Sequence, residues 1–117
     1  MSKIVQRIQS FLASPAQAQE KISDLLIELR HRGLNFDVRF IEEGGEKYFF
    51  AQSVGYPRGY INATGENLAE LERQLKDAIF TAFGVPVRYC NPDLIAFTPP
   101  LGKNQTVAAS QKIYATT

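Results

Sequence analysis

The stretch Phe36-Asp37-Val38-Arg39-Phe40-Ile41-Glu42-Glu43-Gly44-Gly45-Glu46-Lys47-Tyr48-Phe49-Phe50-Ala51-Gln52-Ser53-Val54 decides the fold. Phe36, Val38 and Phe40 alternate with Asn35, Asp37 and Arg39, the two-residue period of a half-buried strand. Glu43-Gly44-Gly45-Glu46 reads as a hairpin connection, because glycine adopts the positive φ that tight hairpins need. Lys47 to Val54 is rich in strand-favouring residues and pairs naturally with the first strand. Tyr48 and Phe50 fall on one face and Phe49 on the other. Both faces are therefore expected to be covered, the second by N-terminal helices or by another copy.

Downstream, Gly55-Tyr56-Pro57-Arg58-Gly59 is a turn and Tyr60 to Thr64 a short third strand. Leu68, Leu71, Leu75, Ala78, Ile79, Ala82 and Phe83 then form one apolar helical stripe. Asn67 with Glu70 starts that helix as a capping-box-like pair, and Gly84 stops it. Val85 to Cys90 and Leu94 to Phe97 are each strand candidates. Pro92 lies between them, so at most one is central in a sheet. From Pro99 the periodicity fades. Pro99 to Gln105 reads as a loop, and Val107-Ala108-Ala109 with Ile113-Tyr114 reads either as an arm on another chain or as a disordered terminus.

Upstream, Ile4, Ile8, Phe11 and Leu12 have helical spacing. Ser14-Pro15 then opens a second helix carrying Ile22, Leu25, Leu26 and Leu29. Arg30-His31-Arg32 suits a helix C-terminus, and Gly33 a left-handed stop. The expected architecture is α+β. It has two N-terminal helices, a three- to four-stranded antiparallel sheet and one helix packed on a face. Residues 1–98 form one domain, divided into 1–33 and a core over 34–98, with 99–117 as a C-terminal tail or arm.

The segment from Phe36 to Phe83 resembles the HicB-like antitoxin family, most specifically at Gly65-Glu66-Asn67-Leu68-Ala69-Glu70. There the family has a Gly-acidic-Thr-x-x-Glu motif ending the third strand and starting the helix. Asn67 stands in place of the threonine, and both residues are competent caps. The resemblance implies a three-stranded sheet with one packed helix. It also implies a non-catalytic, oligomeric protein of the kind that covers a small ribonuclease toxin. Many members add a DNA-binding segment; after Phe83 no second pair of amphipathic helices is found here.

Composition narrows function further. Thirteen basic and twelve acidic side chains leave a formal charge of +1, which supplies no general attraction for nucleic acid or anionic membrane. One cysteine and one histidine exclude an internal disulfide and a His/Cys metal cage, and no cofactor motif is present. No apolar run approaches the ~20 residues of a membrane span. The N-terminus also lacks a secretory apolar stretch, so a cytoplasmic chain is expected. His31, between two arginines, reads as a solvated helix end, and Cys90 as a buried small hydrophobe. Glu42, Glu43 and Glu46 read as a solvated hairpin tip. With no assignable general base, an enzyme is not expected.

The first expectation is thus a non-enzymatic interaction module working through protein–protein contacts, as a homo-oligomer or with a small toxin-like partner. The alternative is an RNA-binding module. Arg30, Arg32, Arg39 and Arg58 would contact phosphates, and sheet aromatics would stack bases.

Overall fold

The computed structural model describes residues 15–31 and 33–111. Helix α1 (Pro15–His31) leads into strand β1 (Leu34–Glu43), β2 (Glu46–Val54) and β3 (Asn62–Gly65). Helix α2 (Leu68–Ala82) follows, then 3-10 turns at Val87–Tyr89 and Pro92–Leu94, and strands β4 (Ile95–Thr98) and β5 (Gln105–Gln111). The five strands form one sheet in the order β3-β2-β1-β5-β4, with every neighbouring pair antiparallel. The fold is α+β.

The hairpin register aligns Phe36 with Ser53, Val38 with Ala51 and Phe40 with Phe49. Leu34, Phe36, Val38 and Ala51 therefore share a face with Ala63, Phe97, Val107 and Ala109, and all eight are buried. Both helices lie on that face: α1 packs on β5, and α2 on β3 and β2. Leu25 and Leu29 of α1 meet Leu71, Leu75, Ile79 and Phe80 of α2 in a single core. The Phe36 and Phe97 rings meet edge-on at 6.3 Å between centroids. Ser53 is the buried polar exception. Its hydroxyl accepts from the Ile61 N–H at 2.9 Å, and its own N–H donates to the Ile61 carbonyl.

Local chemistry sets the helix ends. Asn67 is extended and its Oδ1 accepts from the Glu70 N–H at 2.8 Å, the expected cap. Gly65 owes its place to close approach, not to a special φ. A Cβ there would lie within 2.8 Å of Leu71 Cα and closer still to Leu71 N, so only glycine lets α2 settle on the end of β3. At the end of α1, Gly33 takes φ +70° and its N–H donates to the Glu28 carbonyl.

Three sequence expectations change, and a fourth falls outside the described residues. The sheet has five strands, because Gln105–Gln111 is neither loop nor outlying arm but β5, inserted between β1 and β4. Its backbone ladders hold it, and its small side chains admit α1 above. Val85 to Cys90 is a 3-10 turn rather than a strand, with Val87 projecting into solvent. Only the second proposed N-terminal helix is described; residues 3–12, Ile113 and Tyr114 lie outside the described residues. Finally, the described residues cover one face of the sheet, not both.

Candidate interaction surface

The open face is built by the alternate residues of each strand. Along β1 it carries Asn35, Asp37, Arg39 and Ile41, and along β2 Tyr48, Phe50, Gln52 and Val54. Every one of these is half-buried or exposed. Val54 keeps 49% of its surface in solvent. The aromatic end of this face continues past its flanking strands. β5 pairs with β1 only over Leu34–Val38, and β3 with β2 only over Phe49–Gln52. The β1–β2 pair runs on alone to Glu43 and Glu46.

This overhang explains why the hairpin is apolar on both sides. Ile41 and Tyr48 pair on its open side, while Phe40 and Phe49 pack on the other with centroids 4.9 Å apart. Its base is braced from the β4–β5 connection. Asn104, at φ 53°, accepts the Phe40 N–H on its Oδ1 at 3.1 Å just where β5 stops short of β1. The Lys103 ammonium lies 4.5 Å from the Phe40 ring centroid, within cation–π range. The sequence marks both residues only as loop. Asparagine at a tight turn, which tolerates the left-handed region, was the available signal.

The three described arginines of the four do not gather. Arg30, at the end of α1, donates from Nε to Gln111 Oε1 at 2.8 Å and ties α1 to β5 on the helix-covered side. Arg39 lies on the open face across from Phe50. Arg58 sits in the β2–β3 turn, lining a cleft of about 560 Å³ with Asp24, Ile27 and Glu28 of α1. Arg32 lies outside the described residues. Arg30 and Arg39 thus occupy opposite faces.

His31 is exposed at the end of α1, and Glu42, Glu43 and Glu46 are exposed around the hairpin tip. Cys90 is half-buried, with Sγ 3.4 Å from the Pro86 carbonyl. Burial, and secondarily the Asp77 charge, push its thiol pKa up, opposite to what a thiolate nucleophile needs. Among the described residues no group of three or more His, Cys, Asp or Glu is placed to hold a metal ion. No described helix is long and apolar enough to cross a membrane. No known family model, curated protein or solved structure matches the chain.

Proposed function

We propose that the chain is a non-enzymatic interaction module of HicB-like type, related to antitoxins, that works through protein–protein contacts on the open sheet face. One observation carries this reading. Among the described residues the five-stranded sheet is covered by helices on one side only, and its other side presents Ile41, Tyr48, Phe50 and Val54 around Arg39. Aromatic and arginine side chains at the centre of a patch are what protein interfaces favour. The order β1-β2-β3-α2 and the capped turn Gly65–Glu70 support the HicB-like kinship.

The alternative is RNA binding, favoured by Arg39 beside Phe50 and Tyr48 on one exposed sheet face. A single comparison separates the two. Tagged wild-type chain should retain a protein, either its own copy or a small basic partner, and Phe50→Arg should lose it. A salt-sensitive shift of labelled RNA that disappears in Arg39→Ala, with no protein retained, would transfer the assignment to RNA.

A further inference from the structure

β1 is the middle strand of the sheet, and on the open face it carries an acid and a base two residues apart. Asp37 is held in place by the Thr106 hydroxyl, which donates to its Oδ1 at 2.8 Å. Arg39 is exposed beside it. The two side chains flank an open depression of about 290 Å³ between β1 and the start of β5, lined also by Asn104, Gln105 and Thr106. An adjacent acid and base at the centre of a face that no described residue covers are complementary to their own image under a two-fold axis.

Two sheets packed face to face through such an axis can be set with it along the strands or across them. With the axis along the strands, between β1 and β2, β1 stacks on β2 of the second copy, and the register sets Glu43 against Glu46 of that copy twice at one end. Like charges then oppose one another. With the axis across the strands over Val38, β1 runs over β1 in reverse. Asp37 then faces Arg39 of the second copy, and Arg39 faces its Asp37. The acidic tips move to opposite ends of the assembly. Tyr48 comes over Val54, and Ile41 over Asn35, so each aromatic end covers its counterpart's exposed valine. Stacked sheets are rotated by about 30° relative to each other. Pairs beside the axis are displaced least by that rotation, and Asp37 and Arg39 are such pairs.

We infer that the open face docks a second copy of this chain in the crossed setting, closed by two reciprocal Asp37–Arg39 ion pairs. This inference rests on the reading of the open face as a contact surface. It is tested on the full chain by light scattering. Wild type should show the mass of two chains and dissociate on dilution. Asp37→Arg and Arg39→Asp should each halve that mass, because each sets like charges together twice. Mixed in equal amounts, the doubly basic and doubly acidic chains should recover the two-chain mass. A one-chain wild type overturns the inference, as do single variants that stay paired or folded variants whose mixture stays unpaired.

A second construction serves if Asp37→Arg does not fold. In a Cys90→Ser background, Asn35→Cys with Ile41→Cys should be joined between chains by a flexible bismaleimide that spans the ~10 Å between stacked sheets, whereas either cysteine alone should not. A two-chain protein that fails to cross-link also overturns the crossed setting. Phe50→Arg tells the two failures apart. If it abolishes pairing while the charge mixture fails, the face is a contact surface in another arrangement. If a two-chain protein ignores Phe50→Arg as well, the reading of the face falls too.

Discussion

The two faces of the β1–β2 pair differ in everything except backbone. On one side Phe36, Val38 and Ala51 are buried to within 1% of their surface. On the other, Asp37, Arg39, Phe50 and Gln52 meet solvent from the same ladder. The difference teaches that a strand's own pattern does not decide its burial. What lies over it decides, and both helices lie over one side. Aromatic residues on the second side need another explanation, and for Tyr48 the overhanging hairpin supplies part of it.

Substitutions on the two faces should therefore separate sharply. Phe36→Ala removes a fully buried ring from the centre of the covered face and should cost about 3–5 kcal/mol, read as a fall in denaturant midpoint at constant m-value. A loss under about 1 kcal/mol would break the comparison. Gly65→Ala drives a methyl group into the backbone of α2 and should cost about 1–3 kcal/mol, because neither Leu71 N nor Cα can rotate away. An unchanged midpoint would mean that α2 does not sit on β3 as described.

Smaller effects sharpen the contrast. Asn67→Ala should cost about 0.5–2 kcal/mol by leaving the Glu70 N–H without its acceptor. Phe50→Ser, on the open face, should cost about 1 kcal/mol or less in the isolated chain while weakening association. A core-sized loss in a one-chain species would place Phe50 under a cover of its own chain. Cys90 gives the least perturbing probe. With its pKa raised, its alkylation rate should climb only at a pH above that of an unperturbed thiol. The fold favours the protonated form. That contribution is therefore intact below the unfolded thiol's pKa and is lost as pH rises through the folded one. Alkylation at neutral pH as fast as that of a free thiol would contradict the burial.

Much of this architecture is legible in the residues, and where legibility stops has physical causes. Phe36 to Val54 announces its hairpin because the period of two coincides with a Gly-Gly turn and a half-buried face. Asn67 and Gly84 mark α2 because caps are local chemistry, settled within one turn. β5 escapes because Val107 is its one large apolar side chain. Its place depends on ladders to β1 and β4 and on Ala109 being small enough to lie under the helices, which are tertiary facts. The same holds for the open face. The alternation of Tyr48, Phe49 and Phe50 records two apolar sides. Only the lengths of the neighbouring strands show that Tyr48, with Ile41 opposite, lies on an overhang while Phe49 and Phe50 are still flanked by β3. Arg30, Arg39 and Arg58 fail as a group because sequence assigns each to an element but not to a side of the sheet.

The insertion of β5 also imposes an order in time. Thr106, which bonds to Asp37, lies 69 residues further along the chain. As the polypeptide leaves the ribosome, the hairpin, β3 and α2 are all made before the strand that closes the other flank of β1. Throughout that interval the middle strand of the finished sheet is an edge, with unpaired amides and carbonyls along Leu34–Val38. Loop closure over so long a separation is slow compared with hairpin formation. The nascent chain thus passes through a stage in which strand pairing with a neighbouring molecule competes with its own completion.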